Sequence, residues 1–567
     1  NSLTQRNFIN FTSSSNQGDY LIISNKILYA NNAVENYRQY RASTAGGSYN
    51  AKIYDIDELT DQFAFGIKKH PISIHNFLRY ARKNFAVAPK MVFLIGKAVT
   101  YDQARINENS PYIDQLNLVP TFGWPASDNI LASDNLDPLP ATHIGRLSAV
   151  NTLEINNYLD KVKLYEQQQA STVQTIANKA WMKTMVHVVG ANDASLDASL
   201  TAHLNSYRDI VIDTFYGATV TSFNKTSTGP VTPITNALME QLFDNGISLL
   251  NYFGHSAATA LDYNLNSPDQ YNNYGKYPMF LVNGCSAGNI YSYDTSRLGL
   301  ITSLSELYVL AKDRGSIGFI ASTHFGVESF LDSYCKGFYQ SLSIDDYNQP
   351  ISYNIYDAIN YLLNNKSLDS VTRYLHAEEN VLHGDPAVKI NAHTKPDFVI
   401  EEPQVLINPT FISVASGSFD IKTYIYNIGK ALGDSVSFSI KRQYPNGTIV
   451  SLFSQNIKSV RYIDSVKLTV PIVASTDVGE NKLIVTIDDN NKYDELSELN
   501  NTITKSFFIY EDELKPVYPY DFAIVNKQGI KLVASTANPI SPLQQYNMEL
   551  DTTELFNSPL KYNQTIN

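Results

Sequence analysis

The first 393 residues alternate short, continuously apolar runs with segments of helical periodicity. Apolar runs without polar alternation are typical of strands that are buried on both faces of a parallel sheet. One helix is predicted before the stop signal Gly246, and a second between Ile355 and Leu362, where apolar residues recur at i, i+3, i+4 and i+7. The pattern predicts an α/β layered domain. The predicted strands are DYLIIS (19–24), MVFLIG (91–96), MVHVVG (185–190), DIVIDT (209–214), ISLLNYFG (247–254), MFLVNG (279–284) and SIGFIAS (316–322).

The pattern changes near Lys395, where apolar and polar residues begin to alternate with period two. The segments FDIKTYIYNIG, SVSFSIK, SVKLTVPIV and NKLIVTID are separated by turn residues, which is typical of an immunoglobulin-like β-sandwich. After the Pro-rich LKPVYPYDF, the last segment has too few strands to close a sandwich. Because a long irregular stretch divides the α/β part, four units are predicted: α/β subdomains 1–140 and 141–394, a sandwich 395–511, and the start of an incomplete β domain, 512–567.

Composition narrows the classes of partner. The chain of 567 residues is too long for one core, and its net charge of −12 comes without a basic run. Nucleic acid and anionic membrane surfaces attract clustered Lys and Arg, so neither is expected as a partner. Two cysteines cannot form a disulfide framework, and no run reaches the roughly 18 apolar residues of a membrane helix. Both ends look cut, so we expect a fragment or a mature segment.

The candidate chemistry lies at the ends of two predicted strands. NYFGHSAA places His255 just beyond the predicted strand 247–254. LVNGCSAG places Cys285 just beyond the next predicted strand, 279–284. Carboxyl ends of parallel strands share one edge of a sheet, so imidazole and thiol are expected to lie close together. An imidazole supplies the base that a thiol nucleophile needs. Small neighbours allow a substrate carbonyl to approach backbone N–H groups, as an oxyanion hole requires; they are Gly254, Ser256, Gly284 and Ser286.

A serine nucleophile is the alternative within the same segment. Gly284, Ser286 and Gly288 match G-x-S-x-G, and His376 or His383 would be the late histidine of a triad. However, the chain has no HGGG segment, and NIYSYDT is a poor start for the helix that should follow.

Two further residues near these segments carry reactive groups. Cys335, in FLDSYCKGFY, is predicted to be a buried thiol on a helix. His324, in STHFG, is predicted to be a pocket wall or an alternative base.

Six segments of the α/β part resemble the gingipain-type cysteine peptidases, which have a caspase-like fold. They are PASDNILAS…LPATHIGRLSA (125–149), LDKVKLYEQ (159–167), GISLLNYFGHSAATA (246–260), YPMFLVNGCSAGN (277–289), GSIGFIASTHFG (315–326) and LHGDPAV (382–388). The resemblance implies His255 as the catalytic histidine and Cys285 as the nucleophile. It also implies that the backbone N–H groups of Ser256 and Cys285 bind the oxyanion.

Within this family the chain most resembles the PorU-like members, the sortase-type signal peptidases of the bacterial type IX secretion system. The segments are DYLIISN, VENYRQYRASTAGG, FLRYARK and YNMELDTTELFNSP, and the sandwich is similar to CARDB-type adhesion modules. The resemblance implies a cell-surface or outer-membrane-associated protein that cleaves C-terminal targeting domains from secreted cargo. It further implies other secretion-system components as partners and lipopolysaccharide as an amine acceptor.

The chain departs from the family pattern at two positions near the expected catalytic histidine. Ser256 stands where the family has Gly, and Val150 where basic-specific gingipains have a Glu; Glu154 lies further along. Asp160 is a candidate for the specificity pocket, with a solvated helix carboxylate as the alternative. We therefore keep three hypotheses: a cysteine peptidase or transpeptidase, a degenerate binding or assembly component, and a serine hydrolase using Ser286.

No cofactor is expected to be required, and structural calcium is left open. Asp128 and Asp134 are weak candidates for a calcium-stabilised loop, with ordinary turn residues as the alternative. The acidic segment DDNNKYDELSELNN (488–501) is predicted to be a solvated hairpin loop, because the EF-hand residue order does not occur in it.

Overall fold

We describe a computed structural model of the chain, which covers residues 8–135, 137–225, 233–263, 265–511, 514–520, 522–536 and 545–566. These residues form an α/β domain, a β-sandwich and two C-terminal hairpins. In these ranges, no helix is both long and apolar enough to cross a bilayer.

The α/β domain is organised around one sheet, to which ten strands contribute in the described part of the chain. Their order is β2-β1-β3-β4-β12-β11-β10-β7-β5-β6. Neighbours from β2 to β4 and from β11 to β6 pair in parallel, whereas β12 runs antiparallel to β11. The strands are β1 Tyr20–Ser24, β2 Ala51–Asp55, β3 Met91–Ile95, β4 His143–Leu147, β5 Thr184–Gly190, β6 Thr219–Lys225, β7 Leu249–Gly254, β10 Met279–Asn283, β11 Gly318–Ser322 and β12 Asn380–His383; a short pair, β8 Ser256–Ala257 and β9 Ala260–Leu261, lies outside the sheet.

Helices cover both faces of this sheet. Along β1, Tyr20 and Ile22 face one core, while Leu21 and Ile23 face the other, so the strand is apolar throughout. The helices are α1 Ala33–Ala42, α2 Ile56–Phe63, α3 Ile72–Asn84, α4 Tyr101–Ile106, α5 Ile113–Leu116, α6 Asp128–Ala132, α7 Thr152–Ala170, α8 Ile176–Lys179, α9 Ala194–Ile212, α10 Pro233–Asn245, α11 Leu304–Leu310, α12 Glu328–Gln340, α13 Ile351–Asn364 and α14 Ser370–Glu379.

One predicted strand is wrong. DIVIDT, residues 209–214, lies at the end of α9 and beyond it. The buried residues of α9 recur at helical spacing, and Val211 completes that stripe after Leu200, Leu204 and Tyr207. The two predicted helices are confirmed as α10 and α13.

The strands from β2 to β4 and those from β12 to β6 are joined by a single register pair. His383 of β12 pairs with Arg146 of β4, whereas β4 pairs with β3 along its full length. The boundary predicted at residue 140 precedes β4, so strands from both sides of it share one sheet. The domain boundaries themselves stay predictions.

The β-sandwich begins after the α/β domain and ends at Tyr510. One of its sheets has the order β13-β16-β14 with β19 beside β16, and the other has the order β15-β21-β20-β17-β18. Alternate residues of β16 are buried, as a two-layer core requires. The strands are β13 Phe398–Val399, β14 Val405–Asn408, β15 Ile412–Ser413, β16 Ser418–Asn427, β17 Val436–Gln443, β18 Ile449–Ile457, β19 Ile463–Pro471, β20 Gly479–Ile487 and β21 Thr502–Tyr510, with the short helix α15 Ala474–Asp477 before β20.

Two separate hairpins follow the sandwich. β22 Leu514–Tyr518 pairs with β23 Val533–Thr536, and β24 Tyr546–Leu550 pairs with β25 Tyr562–Ile566. Their side chains are largely exposed.

Candidate active site

Cys285 and His255 follow two neighbouring strands. β7 and β10 pair in parallel, with Phe253 opposite Asn283, and the two residues lie in the loops directly beyond. A hydrogen bond joins these loops, since the Ser256 hydroxyl donates to the Cys285 carbonyl at 2.8 Å. The common sheet edge that the sequence pattern indicates is therefore present in the fold.

The thiol of Cys285 faces a backbone donor. Cys285 is half-buried, and the N–H of Gly326 lies 3.3 Å from its sulfur. Gly326 belongs to the loop after β11, the strand on the other side of β10. This N–H is placed to hydrogen-bond a negatively charged sulfur, the form that attacks a carbonyl.

His255 is exposed and its backbone is held on both sides. Its N–H donates to the Gly190 carbonyl at 3.0 Å, and its own carbonyl accepts from the Tyr252 hydroxyl and the Asp262 N–H. The short β8–β9 pair closes the same loop. The imidazole is thus accessible to a substrate while the loop that carries it is fixed.

The small residues of this edge are required by the close approach of the two loops. A Cβ on Gly284 would lie 2.2 Å from the Ser256 hydroxyl and 2.5 Å from the Gly254 carbonyl. A Cβ on Gly254 would lie 2.2 Å from the Gly190 carbonyl. The Ser256 hydroxyl donates its hydrogen bond to the Cys285 carbonyl, which fixes the orientation of this side chain. Use of the Ser256 and Cys285 N–H groups as oxyanion donors stays a prediction.

The geometry around Ser286 does not support a serine triad. Ser286 has a φ of 57°, and its N–H and hydroxyl both face the His324 carbonyl, at 2.6 and 3.4 Å. The first helical turn after it is a 3₁₀ turn, Thr295–Leu298, so no helix begins at the serine. The two late histidines have other hydrogen-bond partners. His376 accepts a hydrogen bond from the Val327 N–H at 2.8 Å. His383 contacts Ser305 and the Ser148 N–H, and its burial lowers its pKa to about 3.

His324 lies in the wall of this edge. Its ring packs between Trp124, at a centroid distance of 5.0 Å, and Phe325, at 4.2 Å. Its Nδ1 lies 3.9 Å from a carboxylate oxygen of Glu379, a buried residue whose pKa burial raises to about 7. The use of His324 as a pocket wall stays a prediction. Trp124 and Glu379 were not predicted, because they are far from Cys285 in sequence; FGWPAS offered only an aromatic residue before Pro within the irregular stretch.

Asp160 is not part of the site, which corrects its place as a pocket candidate. It is an exposed residue on α7. The pKa of Tyr277 is raised first by burial and also by the nearby carboxylates Asp313 and Asp160, and Tyr277 precedes β10. Asp160 therefore lies towards the opposite end of β10 from Cys285, and the alternative of a solvated helix carboxylate fits.

Val150 stands where the basic-specific members of the family have a Glu. Val150 packs against an apolar cluster that contains Val99, Ile113 and Leu116. Glu154 accepts from the Val150 N–H at 2.9 Å and pairs with Arg297 at 2.9 Å, so it is already neutralised.

The two calcium candidates are both paired with arginines, and a calcium role for them stays a prediction. Asp128 is buried and binds Arg146 through both oxygens at 2.7 Å, while Asp134 pairs with Arg82 at 2.7 Å. Throughout the described ranges, no group of three or more His, Cys, Asp or Glu side chains is arranged to hold a metal ion.

The acidic loop connects β20 to β21 as a hairpin, as predicted, but two of its acidic side chains, Asp488 and Glu495, are buried rather than solvated. Cys335 is fully buried on α12, as predicted, and burial raises its pKa.

A thiol and an imidazole are the two groups that cysteine peptidases use to attack a peptide carbonyl. The chain belongs to peptidase family C25, whose family model matches residues 13–391. The fold resembles that of gingipain R (RgpB) of Porphyromonas gingivalis, an Arg-specific cysteine proteinase, with a TM-score of 0.50 and 15% identity over 87% of this chain and 98% of that chain. The protein is therefore a gingipain-type cysteine peptidase by family and fold.

The solved structures with lower similarity include the following two. Dimeric latent PorU of P. gingivalis gives a TM-score of 0.35 and 12% identity over 88% of this chain and 43% of that chain. The CARDB domain of the PF1109 protein from Pyrococcus furiosus, in complex with di-metal ions, gives a TM-score of 0.16 and 20% identity over 21% of this chain and 90% of that chain. A search of curated proteins found no match.

Proposed function

We propose that the protein is a sortase-like cysteine endopeptidase or transpeptidase of a type IX secretion system, which removes C-terminal targeting domains from secreted cargo at the bacterial cell surface. The observation that carries the chemistry is the junction of the two strand-end loops, where Ser256 bonds to the Cys285 carbonyl and Gly326 donates to the thiol. The secretion role rests on the resemblance of sequence segments to PorU-like peptidases. It includes other secretion-system components as partners.

In the proposed reaction, the Cys285 thiol gives its proton to His255 and its sulfur attacks the scissile carbonyl. The N–H groups of Ser256 and Cys285 bind the resulting oxyanion. As the intermediate collapses, the C–N bond breaks and His255 protonates the leaving amine, which leaves a thioester on Cys285. Water, or an amine of lipopolysaccharide in the transpeptidase reaction, then attacks the thioester. Its proton passes through His255 back to the thiol as the Cys285 sulfur leaves.

Labelling with a peptide that carries an acyloxymethyl ketone tests the nucleophile. The wild-type chain should be labelled at Cys285, as located by mass spectrometry, and Cys285→Ala should not be labelled. Cys335→Ala is the matched control and should react like the wild type, because Cys335 is fully buried. Full labelling of Cys285→Ala would overturn the assignment.

The base is tested with His255 and His324, which lie in the loops that follow β7 and β11. His255→Ala should lower peptide cleavage by roughly 10²–10⁴-fold, the usual contribution of a general base. His324→Ala should retain most of the rate, since His324 is proposed as wall. The reverse result would assign the base to His324.

The transpeptidase reaction and the cargo are tested by product analysis. The substrate is a cargo protein that carries a targeting domain. When a soluble amine such as hydroxylamine is added, the cleaved cargo should carry that amine, joined through an amide-type bond, at its new C-terminus. If only the hydrolysed product forms at every amine concentration, the transpeptidase reaction is excluded and the endopeptidase reaction remains.

A degenerate binding or assembly component is the second candidate, favoured by Val150 and by the engagement of Glu154 with Arg297. It predicts that Cys285 reacts with an electrophilic peptide probe no faster than an unactivated thiol such as free cysteine, whereas the catalytic proposal predicts faster labelling.

A further inference from the structure

Three aromatic side chains beside Cys285 form an exposed surface, which we call the aromatic wall: Trp124, His324 and Phe325. Trp124 and Phe325 are each 66% exposed, although large aromatic side chains usually bury most of their surface. The His324 ring lies between them and contacts both. Two rings of this size left open on one surface are typical of a binding site.

The aromatic wall is attached directly to the nucleophile loop. The His324 carbonyl accepts from the Ser286 N–H at 2.6 Å, and Gly326, the residue after Phe325, donates to the Cys285 sulfur at 3.3 Å. The aromatic wall therefore lies directly beside the thiol.

The two loops of the aromatic wall are rigid and tied to each other. Ser127 closes the Trp124 loop by donating to the Phe122 carbonyl at 2.8 Å, and its hydroxyl donates to the Glu378 carbonyl at 2.8 Å. Thr323 joins the loops by donating to the Ala126 carbonyl at 2.8 Å. Aromatic rings on a fixed backbone lose little conformational entropy when a ligand binds.

The site continues beyond Trp124 into a cavity of about 310 Å³. Its lining includes Pro71, Tyr101, Phe122 and Trp124. The one carboxylate of the lining, Asp102, is exposed to solvent and gives little energy to an ion pair. Glu379, beneath His324, is buried and bonded to the Ser322 hydroxyl, so it is not presented to a substrate cation.

We propose that the aromatic wall and this cavity select a substrate peptide with large apolar or aromatic side chains on the acyl side of the scissile bond. The inference rests on the proposed peptidase function, because it assigns the substrate class of the same site. The surface offers ring faces and a proline. The one carboxylate of the described cavity lining, Asp102, is solvent-exposed and gives little energy to an ion pair with a basic side chain.

The test uses acyloxymethyl ketone probes whose two acyl-side residues are both Phe, both Leu, both Ala or both Lys. For the full chain, the second-order rate of Cys285 labelling should be about tenfold or more higher for Phe and Leu than for Ala and Lys. Trp124→Ala should remove most of this preference and leave alkylation by iodoacetamide unchanged. Tyr274→Ala is the matched control: Tyr274 is 62% exposed but precedes β10, and its loss should leave the preference intact.

The outcomes separate the two proposals. Three results would contradict the proposed role of the aromatic wall without contradicting the peptidase function. They are equal labelling by all four probes, a preference for Lys through stacking on the rings, and an unchanged preference in Trp124→Ala. If iodoacetamide alkylates Cys285 but no peptide probe labels it, the peptidase function fails and the aromatic wall loses its role with it. A melting temperature of Trp124→Ala equal to that of the wild type shows that the change acts on binding.

Discussion

The catalytic edge and the joint between the two domains both gather polar side chains, but they bury them to different degrees. At the edge, His255 is exposed and Cys285 is half-buried. At the joint, defined here by Asp397, Glu495 and Asn500, the two carboxyl groups are 0% and 5% exposed. Asn500 donates to Asp397 at 2.9 Å and to the Gln174 carbonyl of the α/β domain at 3.1 Å.

The joint shows that a shifted pKa does not by itself mark a catalytic site. Burial raises the pKa of Asp397 to about 7 and that of Glu495 to about 8. Both groups are shielded from a substrate, whereas the thiol and imidazole of the edge are accessible. Access, together with a neighbouring donor, distinguishes the edge from a buried polar cluster.

Replacing one histidine in each region should give the largest contrast. His255→Ala is expected to lower kcat/KM by about 10²–10⁴-fold without changing the melting temperature, because the imidazole is exposed. His393 is buried near the joint, and burial lowers its pKa to about 3. His393→Ala should lower the melting temperature and leave kcat/KM nearly unchanged. Peptide cleavage and thermal melting of both variants check this, and equal losses of activity would refute the contrast.

Adding one methyl group to a glycine of each region should give the next effect. Gly284→Ala forces the Cys285 loop away from Ser256 and should reduce activity most. Gly429→Ala should instead destabilise the protein by about 1–3 kcal/mol, since its Cβ would lie 2.4 Å from the Lys395 carbonyl and 2.7 Å from the Asp397 nitrogen. Gly433→Ala is the control, because no atom lies within 4 Å of its Cβ. Urea unfolding and cleavage assays separate the three variants.

The joint should also make stability depend on pH. Asp and Glu have pKa values of about 3.9 and 4.3 in unfolded chains, and the folded values of Asp397 and Glu495 are raised to about 7 and about 8. Their stabilising contribution is therefore complete below about pH 4 and is lost as the pH rises through 7 to 8. The free energy of unfolding should fall between pH 5 and pH 8, and Asp397→Asn should flatten that slope. An unchanged slope in the variant would exclude Asp397 as the cause.

A surface ion pair beside the joint should have the smallest effect. Lys395 and Asp494 lie 2.7 Å apart with side chains that are 45% and 80% exposed. Lys395→Ala should cost about 0.5 kcal/mol or less in urea unfolding, with no change in cleavage. A loss of more than about 1 kcal/mol in the free energy of unfolding would show that this pair contributes to the stability of the joint.

The sequence pattern predicted the central strands and missed strands with polar residues. β2 and β6 were not predicted because they lie at the two ends of the sheet, where one side is unpaired and polar residues such as Lys52 are tolerated. β4 was hidden by Arg146, whose buried charge is neutralised by Asp128, a partner that hydrophobic periodicity cannot reveal. The apolar run of β10 is unambiguous because that strand is central.

For the site, strand ends were enough to bring His255 and Cys285 to one edge. The aromatic wall was not predictable, since Trp124 and Phe325 belong to loops about 200 residues apart that meet only in the folded sheet. The misplacement of Asp160 has the same origin, because a position along α7 does not tell which end of β10 it approaches.

The position of β12 has a consequence for synthesis of the chain. β12 is the last strand of the sheet to leave the ribosome, yet it lies between β4 and β11. Until residue 383 has emerged, the edges of β4 and β11 have no partner, and unpaired edges favour aggregation. The middle of the sheet is thus completed last, and translation arrested before residue 380 would release a chain with two open edges.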